Sequence, residues 1–128
     1  MLGRYNAGVS LAVKDMKTAR EFYLNKLGLL VEREDEYESV YSSGHVKIQV
    51  YVSTSAGNSQ VTSAFWEVDN IEAEVAELRG KGVVFEHYTD MQGVQLEGDI
   101  HVASDGSEKA AWFKDPDGNI LSLQSRKA

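Results

Sequence analysis

Apolar and polar residues alternate with a period of two at the start of the chain. Val9, Leu11 and Val13 interleave with Gly8, Ser10 and Ala12, which predicts a strand over residues 7–13 with one face in a core. Asp15 follows at the N-cap of a helix whose stripe is Met16, Ala19, Phe22, Tyr23 and Leu27, and Gly28 ends it. Three strand-like runs come next, residues 29–34, 37–42 and 46–52, with Ser43-Gly44 as the turn between the last two. The second half repeats the order. Residues 63–68 read as a strand. Asp69 reads as an N-cap, with Glu72 completing a capping box, before the helical stripe Ile71, Val75 and Leu78, which Gly80 and Gly82 end. Residues 83–88 and 109–113 are strand-like, 99–103 more weakly so. Asp115-Pro-Asp-Gly118 is a turn, because proline fixes φ and glycine accepts positive φ, and residues 119–125 form the last strand.

The repeat decides the fold. Val13-Lys-Asp-Met16 and Val68-Asp-Asn-Ile71 occupy the same strand-to-helix junction in each half. The expectation is an α+β domain of two βαβββ modules, about residues 5–53 and 60–126, forming a curved mixed sheet with a concave cavity and helices outside. The Ser/Gly-rich stretch 53–59 is the candidate hinge. Residues 89–107 carry the weakest pattern and read as a lid or a long hairpin.

Composition narrows the chemistry. The 128 residues contain no cysteine, so thiolate ligands, cysteine nucleophiles and disulfides are excluded. A net charge of −7 with scattered Lys and Arg speaks against nucleic acid and favours a neutral or cationic ligand. No run approaches the roughly 20 apolar residues of a membrane span, and no secretory apolar stretch follows Met1-Leu-Gly-Arg4. The expected location is cytoplasmic, with no membrane partner. Phosphate-cradling glycine loops and serine-nucleophile signatures are absent from the sequence.

The segments Val13-Lys-Asp-Met-Lys-Thr-Ala-Arg-Glu-Phe-Tyr-Leu-Asn-Lys-Leu-Gly28, Phe65-Trp-Glu-Val-Asp-Asn-Ile71 and Trp112-Phe-Lys-Asp-Pro-Asp-Gly-Asn119 resemble the vicinal-oxygen-chelate superfamily, which includes glyoxalase I, bleomycin-resistance proteins and extradiol dioxygenases. The resemblance implies the fold above, a homodimer, and in enzymatic members a divalent metal held by His or Gln, Glu, His and Glu on four strands. Counting from the motifs, the matching positions here are Gly8, Gln49 (or Tyr51), Ser63 and Ser122. Glycine has no side-chain donor, and hydroxyls and one amide are poor divalent ligands. The expectation is therefore no metal and no cofactor.

Strand alternation sets Gly8, Ser10 and Ala12 on one face, with Lys47, Gln49 and Tyr51, with Ser63, Phe65 and Glu67, and with Ile120, Ser122 and Gln124 on corresponding ones. These small, polar and aromatic sets suit a ligand wall. The candidate ligand-binding residues are Gly8, Ser10, Lys47, Gln49, Tyr51, Ser63, Phe65, Trp112, Ser122 and Gln124, with no catalytic residue assigned. His45, His87 and His101 read as exposed structural histidines; the alternative brings His87 and His101 together beside Glu86, Glu97 or Asp99 as a metal or base site. The leading function is metal-independent binding of a small cationic or aromatic molecule, in the manner of bleomycin-resistance proteins. The alternatives are a lyase or isomerase with a non-standard metal site, and a regulatory or scaffolding subunit with a vestigial pocket.

Overall fold

A computed structural model describes residues 1–126. Within it the chain divides into two units. The first takes in Met1–Ser59 and the turn Asp115–Asn119; the second takes in Gln60–Lys114 and the last strand.

In the first unit, β1 (Val9–Val13) leads into α1 (Met16–Arg20), followed by β2 (Leu30–Glu34), β3 (Glu38–Ser43) and β4 (Val46–Val52). The sheet order is β1-β4-β3-β2, parallel between β1 and β4 and antiparallel elsewhere. Asp15 caps α1 as expected, accepting from the Thr18 amide at 2.9 Å and the Thr18 hydroxyl at 2.7 Å. The helix then widens into a π-helical segment, Glu21–Lys26, closed by a bond from the Leu27 amide to the Phe22 carbonyl. The wider turn lets consecutive residues, Phe22 and Tyr23, both be buried. With Ala19 they join Leu11, Val13, Tyr41, Ile48 and Val50 in the core. The opposite face of the sheet is polar and cross-linked. Ser10 Oγ donates to Gln49 Oε1, Gln49 Nε2 donates to Glu38, and Glu38 pairs with Arg33.

Residues 53–59 are built onto the Asp115–Asn119 turn. Gly57 has φ +82°, and a Cβ there would stand 2.2 Å from the Asp117 carbonyl oxygen. The turn itself is held by Asp115, which is 4% exposed. Its carboxylate accepts from the Tyr23 hydroxyl (2.6 Å), Asn119 Nδ2 (2.8 Å), and the amides of Asp117 (3.0 Å) and Asn119 (2.8 Å).

The second unit comprises β5 (Thr62–Glu67), α2 (Ile71–Gly80), β6 (Phe85–Glu86), β7 (Val94–Glu97), β8 (Ile100–Ala103), β9 (Glu108–Lys114) and β10 (Ile120–Arg126). The sheet order is β5-β10-β9-β8-β7, with β5 and β10 parallel. Ile71, Val75 and Leu78 of α2 are buried with Ala64, Phe85, Ala111, Phe113, Leu121 and Leu123.

Two expectations change here. Asn70, not Asp69, caps α2, its Oδ1 accepting from the Ala73 amide at 3.0 Å; Glu72 reaches Lys109 instead of closing a capping box. The second module also has six strands rather than four. The stretch 89–107 contains a hairpin, β7–β8, turned at Gly98-Asp99 with Gly98 at φ +62°. It shares one edge of β9 with β6: Phe85 and Glu86 pair with Phe113 and Trp112, while His101 and Val102 pair with Ala110 and Lys109. No helix among the described residues is long and apolar enough to cross a membrane.

Candidate functional site

The face of the second sheet away from α2 is shaped by its register. His101 on β8, Ala110 on β9 and Gln124 on β10 pair in one row, and Trp112 and Ser122 pair in the next. Paired residues share a face. Ala110 ends at Cβ, so the first row dips between a histidine and a glutamine. The dip opens a cavity of about 250 Å³, walled by His101, Trp112 and Gln124, by Met91 and Val94 from the hairpin side, and rimmed by Glu108, Lys109 and Arg126.

Two rings line one wall and a third, Tyr88, packs against both. Trp112 and His101 meet edge to face with centroids 4.9 Å apart, and Tyr88 lies 5.4 Å from Trp112 and 5.8 Å from His101. Trp112 Nε1 donates to Thr62 Oγ1 at 3.1 Å, which fixes the indole. His101 is 3% exposed, so the expectation of an exposed histidine is overturned: its strand places it on the covered face rather than in a loop. His101 Nε2 accepts from the Tyr88 amide at 2.9 Å. In the neutral ring the proton therefore sits on Nδ1, which is buried without a hydrogen-bond partner. Burial pulls the His101 pKa below the ordinary histidine value and the nearby His87 adds to this, against the pull of the Ala110 and Tyr88 backbone.

The rim is electrically balanced. Glu108 faces Arg126 at 3.5 Å, and Lys109 pairs with Glu72. At the hairpin turn, Asp99 accepts from His87 Nε2 (2.7 Å) and from Arg79, and these two partners hold its pKa below the usual carboxylate range. His87 and His101 come near one another because β6 and β8 share an edge of β9, not because their segments pair, and His87 is committed to Asp99. His45 is exposed.

Of the residues expected to bind ligand, Trp112 and Gln124 stand in this wall. Ser122 does not: it lies between Phe65 and Trp112 in register, has no accessible surface, and its hydroxyl donates to the Leu123 carbonyl. Ser63 and Phe65 are exposed on β5, outside the wall, where a register shift beside β10 interrupts the pairing. Gly8, Ser10, Lys47, Gln49 and Tyr51 belong to the first unit. There Ser10 and Gln49 bond to each other, Lys47 pairs with Glu32, Tyr51 is exposed opposite Ala12, and Gly8 runs close enough to Lys47 that a Cβ would stand 3.1 Å from its carbonyl oxygen. Sequence reasoning missed Met91, Val94, His101, Glu108, Lys109, Ala110 and Arg126. The alternation of Val94 and Leu96 with Gln95 and Glu97, between Gly93 and Gly98, was the available signal for the hairpin that brings the first three in.

The four positions that would hold a divalent ion in a related enzyme do not suit one. Gly8 offers no side chain, Gln49 is bonded at both ends of its amide, Ser63 offers a lone hydroxyl, and the Ser122 hydroxyl is buried. Among the described residues no three His, Asp or Glu side chains converge as a metal site elsewhere.

The sequence matches the family model of the Glyoxalase/Bleomycin resistance protein/Dioxygenase superfamily over residues 7–123. The chain belongs to this superfamily. It is 28% identical over 127 residues to the uncharacterised protein YraH of Bacillus subtilis, covering 90% of this chain and 93% of that one. Among solved structures, the glyoxalase family protein from Enterococcus faecalis superposes with a TM-score of 0.72 at 20% identity, covering 97% of this chain and 99% of that one. The fosfomycin resistance protein FosX from Listeria monocytogenes gives 0.70 at 13% identity, covering 96% and 93%. At these identities the likeness shows the fold alone. The two mixed sheets, each with a β-α start and a parallel first-to-last strand pair, are those of this glyoxalase-type fold.

Proposed function

We propose that this superfamily member binds a small, uncharged, planar organic molecule in the cavity beside Trp112, without a metal ion. The carrying observation is the wall itself: an indole fixed by Thr62, with the His101 ring edge to face beside it and the apolar side chains of Met91 and Val94 lining the same cavity. Such a surface favours a flat apolar ring through burial and edge-to-face contact. At about 250 Å³ the cavity is smaller than the roughly 300–1,000 Å³ typical of drug-sized ligands, which points to a one- or two-ring compound. The chain's acidity does not reach the wall, because Glu108 and Glu72 are each matched by a cation. The ligand is therefore aromatic rather than cationic. Binding is metal-independent, since the donor set at the family positions cannot hold a divalent ion. The functional assembly is a homodimer in the cytoplasm.

The test is a titration of indole, coumarin and benzamide, read by heteronuclear NMR shifts. We expect at least one to perturb the Trp112 indole and Ala110 amide signals, and Trp112→Ala to abolish the effect. Phe65→Ala, outside the wall, should bind as the wild type does. Binding that survives Trp112→Ala, or no perturbation by any of the three, overturns the assignment.

A further inference from the structure

We infer that the cavity is gated by protonation of His101, holding its ligand while the imidazole is neutral and releasing it on acidification; this rests on the binding role proposed above. The geometry that carries it is the bond from the Tyr88 amide to His101 Nε2, 2.9 Å long. It ties the segment leading to Met91, one wall of the cavity, to strand β8 beneath it. A second proton on the ring turns Nε2 from acceptor to donor. Two N–H groups then face each other at hydrogen-bond distance, and the tie becomes a repulsion.

No side chain around the ring offers the imidazolium an ion pair, and the Ala110 and Tyr88 backbone only partly offsets the burial. From β6 and the residues after it, Glu86 is paired with Lys114 and His87 with Asp99. From α2, Arg79 takes the other oxygen of Asp99. On β7, Glu97 pairs with Ile100, on the face opposite to that shared by Leu96 and His101, and Asp90 is exposed on the preceding segment. From β9 and β10, Glu108 is paired with Arg126, and Lys109 with Glu72. Glu86, Asp99, Glu108 and Glu72 are each held by a basic partner, and the nearby His87 further disfavours a charged His101 ring. Burial therefore keeps His101 neutral until the pH falls below the ordinary histidine range, and protonation then breaks the tie instead of forming a new ion pair.

Trp112 supplies an internal reporter, because an imidazolium 4.9 Å from an indole quenches its emission. The experiment follows Trp emission, the Tyr88 amide signal and coumarin affinity from pH 8 to 4.5, in the wild type, His101→Gln and His87→Gln. Coumarin is uncharged throughout, so its own ionisation plays no part. In the wild type the Tyr88 signal and the Trp112 emission should move together, with a midpoint below the ordinary histidine value, and coumarin affinity should fall about tenfold across the same step. Glutamine at 101 keeps an acceptor but does not titrate; whatever its affinity, that affinity should not change with pH. His87→Gln should retain the transition. Coumarin binding that is constant with pH, or a transition that persists in His101→Gln, overturns the gate while leaving the binding role standing. Concerted movement of Tyr88 and Trp112 without coumarin binding at pH 8 supports the gate and overturns the binding role.

Discussion

Removing the Tyr23 hydroxyl tests the packing of the Asp115 turn at a single atom. Tyr23 is fully buried, and its hydroxyl lies 2.6 Å from Asp115 Oδ2. Burial, and next the neighbouring Asp115 carboxylate, push the Tyr23 pKa far up, so the group stays a donor at every working pH. Tyr23→Phe deletes one hydrogen bond to a charged group and leaves Asp115 with its other three donors. The expected cost is about 1.5–2 kcal/mol. Asp115→Ala strips the acceptor from all four donors. Asn119 Nδ2 keeps the Ala12 carbonyl at 2.7 Å, but the Tyr23 hydroxyl is stranded in the core. The expected cost is about 3–5 kcal/mol. Much of that is the stranded hydroxyl, so adding Tyr23→Phe to Asp115→Ala should cost almost nothing more. The coupling in the double-mutant cycle should then be about 1.5–2 kcal/mol. Urea unfolding followed by far-UV circular dichroism measures all four corners. Additive losses would show that the hydroxyl and the carboxylate do not depend on each other, and the account of this turn would fall.

Gly57→Ala should destabilise by about 3 kcal/mol or more, since it combines a left-handed φ with a Cβ driven into the Asp117 carbonyl; thermal unfolding reads it. Asn70→Ala should cost about 1 kcal/mol by loss of the cap on the Ala73 amide, whereas Asp69→Ala should be near neutral in the same melt. Because the His101 pKa is lowered on folding, the unfolded chain binds more protons below pH about 6.5. Its contribution to stability is complete above that value and is lost as the pH falls towards the folded pKa, and His101→Gln should flatten this limb of the stability-against-pH curve. Added zinc or nickel, and chelator treatment, should leave the melting temperature unchanged; a stoichiometric metal with a rise of several degrees would contradict the donor-set argument.

Strand periodicity and turn chemistry carried most of the fold. The β4 pattern and the Asp115-Pro-Asp-Gly turn appear where alternation and backbone rules put them, because their local chemistry specifies them before Tyr23 and Ala12 brace the turn. The cap of α2 slipped by one residue, since Asp69 and Asn70 are chemically equivalent caps and only the helix register chooses between them. The candidate wall was legible at Trp112 and Gln124, which share the parity of a long regular strand pair. It was not legible at His101 or Met91, whose positions depend on a hairpin docking against β9, a long-range pairing that no local pattern encodes. Ser122 shows the limit of parity: alternation gives the face, but not whether large neighbours close over it.

The turn that joins β9 to β10 folds as part of the other unit. The duplicated modules are therefore not interchangeable cassettes: a fragment beginning after Ser59 would carry a connector deprived of Tyr23, Ala12 and the Gly57 backbone.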